Sequence, residues 1–461
     1  MRIINVSIVT IFILFNSCSK GSSFCNIKDF GAIGDGKTNN TIAIQQAINA
    51  CHDSGGGEVM ISGGDFVTGT IILKDNVTLN IDKSASLIGS ENPEDYQNID
   101  SFIDATGQLR GKCLIGAIDA KHIGLIGGGI IDGRGQTFHQ KKLRHALNEK
   151  GYEKNTINKL VANRPFLIRF VRSEAIKMEG LLLKNPAAWT CHFFQCNDIQ
   201  VDKLEIFSHA NKNNDGIDID SSYDVSITNC NINSGDDAIC LKTTSPKPTY
   251  NVNVADCILK SDWGALKFGT ESMGDMYNVD IRRCKINNTK GGGIKILSVD
   301  GANISNVTID SIDMKKVDTP IFIRLGERLR TYRDAEKQTV GSVNNINISN
   351  ITATTMETDS SRVNPPTGIF ITGTPKHKIG KLNLKNIHIT LPGDGKLEHK
   401  TVNVPEDEIR YPEFKLFGVL PSYGLMARHV EELNFNEYSF KTVRPDERDE
   451  ILYSSVDNFN N

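Results

Sequence analysis

The 461-residue sequence has few prolines (14) and few aromatic residues (7%), no long run of one charge sign, and no long apolar run after its first residues. Basic (52) and acidic (55) side chains nearly balance, which excludes the strongly basic surface of a nucleic-acid-binding domain. Its 39% hydrophobic content and mixed charges exclude a generally disordered chain. Paired Cys-x-x-Cys motifs are absent, so no metal site and no other cofactor is predicted.

The first residues resemble an export signal. Arg2 precedes an apolar stretch at 3–15 that is too short for a membrane span. Small or polar residues lead into Cys18, as at a bacterial lipoprotein cleavage site, and an ordinary cleaved signal is the alternative. We expect a signal peptide at 1–17, lipidation of Cys18 and a linker at 18–23. The protein would lie in the periplasm or be anchored at the outer membrane or surface of a Gram-negative-type bacterium.

Cysteines at a regular spacing indicate a repeating structure. Cys230, Cys257 and Cys284 are 27 residues apart, and each precedes a short strand-like run. A regular period of this size is typical of a solenoid. Because cysteine is among the most buried residue types, we expect a stacked column of free thiols rather than disulfides or a metal site.

Apolar-x-apolar segments carry the same repeat along most of the chain. Their spacings of 23, 26, 27, 27, 28 and 39 residues suit coils of a β-helix, some with an inserted loop. Asn or Asp often stands at or before the segment, as expected for a turn repeated at one corner. The segments are 176–178, 199–201, 225–227, 252–254, 279–281, 307–309 and 346–348.

This repeat predicts an all-β fold in which residues 24–461 form a single-domain parallel β-helix, because stacked coils bury their inward side chains as one core. A β-sandwich is the alternative, but it does not predict a sustained period. The helical pattern at 41–51 predicts a short N-terminal capping helix. Residues 138–163 are interpreted as a helix-prone surface insertion beside the cleft, and residues 392–428 as an irregular, aromatic-rich loop.

Acidic residues occur about one coil apart. Asp215 ends an Asn-Asn-Asp string, and Asp236 and Asp237 follow a glycine 20 residues later. Neighbouring rungs of a β-helix would bring these carboxylates ~4.8 Å apart along the axis. Crowded carboxylates repel when ionised, so at least one should keep its proton near neutral pH, as a general acid must. Calcium binding or turn formation is the alternative.

Cations stand beside these acids in the predicted coils. Counting five residues on from successive turn residues places Asp220, Lys242, Lys267 and Lys295 in one column, and Arg324 extends it by a coil. A strip of cations beside acids indicates an anionic ligand, such as a carboxylated or sulfated sugar chain. Solvated surface lysines are the alternative. The turn residues used for this count are Asp215, Asp237, Asp262 and Lys290.

In these motifs the sequence resembles the family 28 glycoside hydrolases, the polygalacturonase and rhamnogalacturonase family of right-handed parallel β-helices. The similarity covers most of the chain and includes the segments 30–38, 127–135 and 185–192. The family's Asn-x-Asp motif falls on residues 213–215, and its Gly-Asp-Asp motif falls on residues 235–237. These motifs in this order imply the family's fold and a glycosidase activity.

The resemblance also implies a role for each site residue. Asp236 would be the general acid that protonates the glycosidic oxygen, while Asp237 and Asp215 would position and deprotonate the attacking water. This arrangement inverts the anomeric centre, and inverting enzymes hold their carboxyl groups ~6.5–9.5 Å apart. Lys295 matches the lysine of the family's Arg-Ile-Lys motif, which contacts the sugar carboxylate.

The sequence departs from the family pattern at the third motif. Where polygalacturonases carry Gly-His-Gly, this chain has Asp-Trp-Gly at residues 262–264, and Gly293 replaces the arginine of Arg-Ile-Lys. Trp263 would either stack on an apolar sugar face or be packed inside the protein. Lys267 and Glu271 would replace part of the missing binding apparatus.

The sequence therefore predicts an exported, monomeric, inverting glycoside hydrolase that acts on a uronic-acid-containing polysaccharide or its oligomers. The departures favour branched pectin or an algal sulfated rhamnose–glucuronate chain over plain polygalacturonan. A polysaccharide lyase or dehydratase and a non-catalytic carbohydrate-binding lipoprotein are the alternatives. We expect no nucleic-acid partner, and membrane contact only through a lipid anchor. The predicted substrate-binding residues are Asn213, Lys242, Trp263, Lys267, Glu271, Lys295, Arg324 and Tyr411.

Overall fold

The computed structural model describes residues 23–461, so the predicted signal peptide and Cys18 lie outside the described residues. The described chain winds into a right-handed parallel β-helix, as predicted. Across these residues no helix combines the length and apolarity that crossing a membrane requires.

Most of the regular structure consists of short strands with a few helices. The helices are α1 (Thr41–Asp53), α2 (Gln140–Glu149) and α3 (Lys154–Ala162), with 3₁₀ turns at Ile27–Phe30, Pro93–Asp95, Gly135–Phe138, Thr358–Ser360, Leu397–Thr401 and Phe414–Phe417. The strands are β1 (Ser23–Asn26), β2 (Asp35–Asn39), β3 (Gly57–Ile61), β4 (Gly64–Thr68), β5 (Ile71–Ile72), β6 (Val77–Ile81), β7 (Ala85–Gly89), β8 (Asn98–Ile103), β9 (Leu109–Ile118), β10 (Lys121–Gly127), β11 (Ile130–Asp132), β12 (Phe166–Val171), β13 (Glu174–Glu179), β14 (Leu182–Lys184), β15 (Cys191–Phe194), β16 (Asn197–Asp202), β17 (Glu205–Ser208), β18 (Ile217–Asp220), β19 (Tyr223–Thr228), β20 (Asn231–Ser234), β21 (Ile239–Thr243), β22 (Thr249–Ala255), β23 (Ile258–Ser261), β24 (Leu266–Ser272), β25 (Met276–Arg282), β26 (Lys285–Thr289), β27 (Ile294–Ser298), β28 (Asn303–Val317), β29 (Ile321–Leu325), β30 (Ser342–Thr355), β31 (Ile369–Thr372), β32 (Ile379–Leu391), β33 (Ser422–Thr442) and β34 (Asp449–Asn460).

The strands stack in three parallel columns, with one strand of each column in a typical coil. Column A holds β1, β3, β6, β10, β13, β16, β19, β22 and β25, and column B holds β2, β4, β7, β11, β14, β17, β20, β23 and β26. Column C holds β5, β9, β12, β15, β18, β21, β24, β27, β29 and β31. The long strands β28, β30, β32 and β33 run from one column into the next, and β8 pairs antiparallel with β9.

The predicted apolar repeat forms column A in register. Ile176 pairs with Ile199, which pairs with Val225, and the same row continues to Ile346. These side chains point inward and are almost fully buried, because alternate residues of a strand face opposite sides of the sheet. The core therefore runs along the inside of the coils.

The predicted corner turn is a ladder of Asn and Asp side chains. Asp224, Asn251, Asn278 and Asn345 all have φ between 53° and 56°, a left-handed conformation that Asn and Asp adopt more readily than other non-glycine residues. The Asn251 amide donates to Asp224 at 2.8 Å, and the Asn278 amide donates to Asn251 at 3.3 Å. Each coil is thus tied to the next at this corner.

The helices lie where the sequence predicts helical structure. α1 packs on β1 and β3, and the backbone N–H of Thr41 is capped by the Asn39 side chain at 3.0 Å. α2 and α3 occupy the predicted insertion at 138–163. The irregular C-terminal segment ends earlier than predicted, at residue 421, because Ser422–Thr442 is a strand.

The three cysteines of the 27-residue repeat are buried, as predicted. Cys230, Cys257 and Cys284 are each 1% exposed. All cysteines within residues 23–461 are free thiols. These thiols form part of the apolar core.

Candidate active site

The outer face of column C carries the chemical groups of the predicted site. Along β18, β21, β24 and β27, isoleucine, leucine and phenylalanine side chains face the core. The alternate positions face outward and hold polar or ionisable side chains, which loops from both sides cover. These outward residues are Asp218, Asp220, Cys240, Lys242, Lys267 and Lys295.

The prediction that the cations form a single row is wrong, because the pairing of neighbouring strands differs from the predicted one between β21 and β24. Lys242 pairs with Asp220, and Lys267 pairs with Lys295, as predicted. Lys267, however, pairs with Cys240 rather than with Lys242. The lysines therefore form two rows that are two residues apart on the same face.

Arg324 does not extend the lysine row. It pairs with Leu297, while Lys295 pairs with Phe322. The buried Arg324 guanidinium donates to the carbonyls of Glu406 and Asp407 at 2.9 and 3.1 Å. It therefore holds the C-terminal loop instead of lining the pocket.

The three predicted catalytic acids come together in one small pocket. One carboxylate oxygen each of Asp215, Asp236 and Asp237 lies within 4.8 Å of the other two. This is closer than the separation expected for an inverting enzyme, although it is measured between nearest oxygens. The pocket residues are Asp104, Ala105, Thr106, Trp189, Asn213, Asp215, Asp236, Asp237, Lys242, Lys267, Thr270, Glu271 and Tyr411.

The environments of these acids favour different protonation states. Enclosure in the site and the charges of Asp215 and Asp237 hold the pKa of Asp236 well above its usual range. Burial raises the pKa of Asp215 to about 6, although Lys242 opposes this shift. Asp236 is thus suited to hold a proton, and Asp215 can lose one near neutral pH.

Asp237 accepts hydrogen bonds from two donors. Lys267 Nζ donates to Oδ2 at 2.6 Å, and the backbone N–H of Gly264 donates to Oδ1 at 3.1 Å. A side chain at Gly264 would collide with this group, since its Cβ would lie 2.8 Å from Asp237 Oδ1. Burial disfavours the charged form of Lys267, but Asp237 and the other acidic groups around it together outweigh burial and raise the pKa of Lys267.

Lys242 contacts both acidic residues and the aromatic ring of Trp189. Its Nζ lies 2.8 Å from Asp218 Oδ1 and 3.4 Å from Asp215 Oδ2. The same ammonium lies 3.8 Å from the centre of the Trp189 ring, a cation–π contact. Asp215 Oδ1 is buried without a hydrogen-bond partner among the described residues. Sequence reasoning missed Trp189 as a site residue, although its segment 185–192 carries part of the family resemblance.

Asp220 does not line the pocket and belongs to a buried hydrogen-bond network. His192 Nε2 lies 3.1 Å from Asp220 Oδ2, and Arg169 donates to the other ring nitrogen. Burial lowers the pKa of His192 to about 3, so the ring is neutral and its Nε2 carries the proton. Burial opposes ionisation of Asp220, but hydrogen bonds from His192 and Thr244 lower its pKa to about 2.

Glu413 is the largest omission of the sequence prediction. Lys295 Nζ donates to Glu413 Oε1 at 2.6 Å, and Trp263 Nε1 donates to the same oxygen at 2.9 Å. Arg362 and Lys415 lie over the Trp263 ring at 4.3 and 4.6 Å. The tryptophan is therefore packed among cations rather than lining the pocket.

The remaining predicted binding residues border the pocket. Asn213 accepts from Arg164 at 2.8 Å and from Gln108 at 3.2 Å. Glu271 accepts from the backbone of Ala105 at 3.4 Å. Tyr411, from the C-terminal loop, also lines the pocket. These contacts fix the loops that narrow the site.

An open lysine groove adjoins the acids. Its volume is about 570 Å³, and Asp262, which lines it, begins the turn one coil after Asp236. It is lined by His209, Lys260, Asp262, Asn288, Lys290, Lys316, Met356, Glu357 and Ser360. The groove is large enough for sugar residues, while the acidic pocket is much narrower.

Of the described residues, Asp215, Asp236 and Asp237 are also close enough together to share a cation. Lys242 and Lys267 already supply positive charge to two of these carboxylates. That no metal is needed therefore stays a prediction, and the positive charges of these two lysines are the physical reason for it.

Comparisons with known proteins find related enzymes. A family model described as Glycosyl hydrolases family 28 matches residues 54–409. An exo-poly-alpha-D-galacturonosidase of Dickeya chrysanthemi is 30% identical over 249 residues, which is 46% of this chain and 41% of the relative. An endo-polygalacturonase of Pectobacterium carotovorum subsp. carotovorum is 30% identical over 209 residues, 44% of this chain and 51% of the relative. The chain spans about half the length of the curated relatives it matches.

Solved structures share the fold over nearly the whole chain. A family 28 exopolygalacturonase of Yersinia enterocolitica matches with a TM-score of 0.69 at 20% identity, covering 95% of this chain and 78% of that one. A hyperthermoactive exopolygalacturonase of Thermotoga maritima matches with a TM-score of 0.67 at 20% identity, covering 90% and 92%. At these identities the likeness concerns the fold.

Proposed function

The chain belongs to glycosyl hydrolase family 28, and from that premise we propose that it hydrolyses glycosidic bonds in a uronic-acid-containing polysaccharide or its oligomers. One observation carries the proposal. Asp236 is suited to hold a proton, Asp215 can lose one near neutral pH, and Asp237 is paired with Lys267, while carboxylate oxygens of the three lie within 4.8 Å of one another. A proton donor beside carboxylates that can activate water is what glycoside hydrolysis requires.

In the proposed reaction Asp236 donates its proton to the glycosidic oxygen as the bond from that oxygen to C1 breaks. A water attacks C1 and gives its proton to Asp215, whose Oδ1 has no partner in the described structure. Asp237, held by Lys267, helps to orient this water. Carboxylate oxygens within 4.8 Å of one another can both accept from one water, given hydrogen bonds of ~2.8 Å. We propose inversion on the family resemblance and not on this separation, which is shorter than inverting enzymes usually have.

The lysine groove supports an anionic polymer as substrate. Lys260, Lys290 and Lys316 are exposed there, and Asp262 pairs with Lys290 at 2.7 Å. Exposed lysines attract carboxylates or sulfates at long range. Their ammonium groups can also exchange a carboxylate of the protein for an anionic group of the substrate. The relatives of Dickeya and Pectobacterium act, by their names, on galacturonans.

Elimination is less well supported than hydrolysis. A lyase or dehydratase must neutralise the uronate carboxylate with a cation that is free to bind it. Within residues 23–461, Lys242, Lys267 and Lys295 are each paired with a carboxylate of the protein. Hydrolysis needs no such free cation.

Product analysis tests the proposal. The purified protein is incubated with pectic and algal polysaccharides, and new reducing ends, absorbance of unsaturated uronates and the anomer released are measured. We expect reducing ends, no unsaturated product and an inverted anomer. Asp236→Asn should lower kcat by about 10²–10⁴-fold, while the exposed Asp224→Asn keeps full activity. Unsaturated products, or full activity of Asp236→Asn, would contradict the proposal.

We also propose export of a monomer that is lipid-anchored through Cys18. The support is the signal-like sequence at 1–17. Metabolic labelling with a fatty acid, compared between wild type and Cys18→Ala, tests the anchor. Sedimentation of the mature protein tests the monomer.

A further inference from the structure

The carboxylate of Glu413 occupies the place beside Lys295 where an external carboxylate could bind. Lys295 is fully buried and Glu413 is 1% exposed, and they are 2.6 Å apart. Glu413 comes from a loop, 118 residues further along the chain. The second oxygen, Oε2, is buried and has no hydrogen-bond partner in the described residues. An unsatisfied buried oxygen is unfavourable, so Lys295 and Trp263 must hold this carboxylate in place.

The pocket itself leaves little positive charge for a ligand. Its two lysines, Lys242 and Lys267, are bound to Asp218 and Asp237. Among its other lining groups are several carboxyl groups that would repel an added anion. Those carboxyl groups belong to Asp104, Asp215 and Glu271. Sugar hydroxyls, by contrast, can donate hydrogen bonds to such carboxylates.

We propose that Glu413 is a specificity-determining residue that excludes a uronate from the catalytic pocket. The sugar whose anomeric carbon is attacked there is neutral, while uronates of the same polymer bind in the lysine groove. This inference rests on the proposed function, because it concerns the sugar bound next to Asp236. Both charges of the Lys295 pair then belong to the protein, so Lys295 is not available to bind the carboxylate of the sugar next to Asp236.

Ligand binding tests the role of Glu413 without requiring turnover. D-galacturonate and D-galactose, which differ in the carboxylate, are titrated at equal ionic strength into wild type, Glu413→Ala and Glu406→Ala. Glu406 lies in the same loop but pairs with Arg428 and His429, so it is the matched control. We expect Glu413→Ala to bind galacturonate at least 10-fold more tightly than wild type, with no gain for galactose. The gain should be lost in the double variant with Lys295→Met.

A folded Glu413→Ala without this gain, or a gain that persists in the double variant, would overturn the proposal. If the variant does not fold, the wild-type reaction decides. Products from the polysaccharide panel are reduced with borodeuteride, and the labelled end is identified by mass spectrometry. A neutral sugar at the new reducing end is the expected result, and a uronate there overturns the proposal. No new reducing end on any polymer contradicts the proposed function, whereas the binding result for Glu413→Ala still stands by itself.

Discussion

Asp215 combines nearly complete burial with a carboxyl group that must ionise in the proposed reaction. Its pKa is about 6, compared with about 3.9 for an unfolded aspartate. As the pH rises from 4 to 7, the unfolded carboxyl ionises first, so the free energy of unfolding falls by about 2–3 kcal/mol. Asp215→Asn removes this loss. We expect the stability advantage of Asp215→Asn over wild type to grow by that amount between pH 4 and pH 7, measured by denaturant unfolding.

A matched variant separates this effect from the charge of the whole protein. Asp198→Asn changes an exposed aspartate in a turn where Asn is also suited, because its φ is 50°. Its stability difference from wild type should be the same at both pH values. An unchanged difference for Asp215→Asn would show that Asp215 is already ionised at low pH.

The proximity of the three proposed catalytic acids could be predicted from the sequence, but the contact of Glu413 with Lys295 could not. Asp215, Asp236 and Asp237 stand in short motifs on adjacent coils, so the period alone brings them together. Glu413 reaches Lys295 from an irregular loop after the repeat has ended. No periodic signal marks such a contact, so the sequence left Lys295 free to bind a substrate carboxylate.

The strands of columns B and C show why the lysine register was wrong between one pair of neighbouring coils. The prediction counted five residues on from Asp237 and from Asp262, which placed these two residues at the same position of neighbouring coils. In the structure, Ser234 pairs with Ser261, so Asp262 stands at the position of Gly235 and Gly264 at that of Asp237. Strand apolar residues set the register, because they must face the core. Turn residues of the same type constrain the register of neighbouring strands less.

The Asn ladder at the corner of column A should contribute measurably to stability. Asn278 has φ 56°, donates to Asn251 and accepts from Asn306. Asn278→Ala loses both bonds and places alanine in a left-handed conformation, which costs about 1–2 kcal/mol. We expect a lower free energy of unfolding by about 2 kcal/mol, measured in denaturant.

Glycine at the same position separates the two causes. Asn278→Gly loses the same hydrogen bonds but adopts positive φ without strain. It should be destabilised less than Asn278→Ala. Equal losses for the two variants would assign the whole effect to the ladder bonds rather than to the backbone conformation.

The long C-terminal loop, residues 392–421, connects the end of the solenoid to the site near its middle. It carries Tyr411 and Glu413, while Arg324 on the sheet binds the carbonyls of Glu406 and Asp407. Arg324→Ala removes the donor to these partly buried carbonyls and to the buried carbonyl of Gly373, so we expect a loss of about 3 kcal/mol in the free energy of unfolding. A looser loop should also raise KM more than it lowers kcat.

Calorimetry and steady-state kinetics check this prediction. Arg283→Ala removes an exposed pair with Asp256 and should change stability by less than about 0.5 kcal/mol. Arg324→Lys should restore part of the stability. Unchanged KM in a destabilised Arg324→Ala would mean that the loop does not depend on this anchor to shape the site.

The small net charge of the molecule conceals an uneven surface, with acids in the pocket and exposed lysines in the adjoining groove. Replacing Lys260, Lys290 and Lys316 by Gln should raise KM for a long uronate polymer about 10-fold at low salt, since each exposed pair contributes about 0.5 kcal/mol. The difference should vanish in about 0.5 M salt, where exposed charges are screened. The matched control replaces Lys121, Lys177 and Lys385, exposed lysines of β10, β13 and β32. An equal KM change in the control would indicate a general charge effect, whereas a groove-specific change places the polymer's anionic residues beside the acidic pocket.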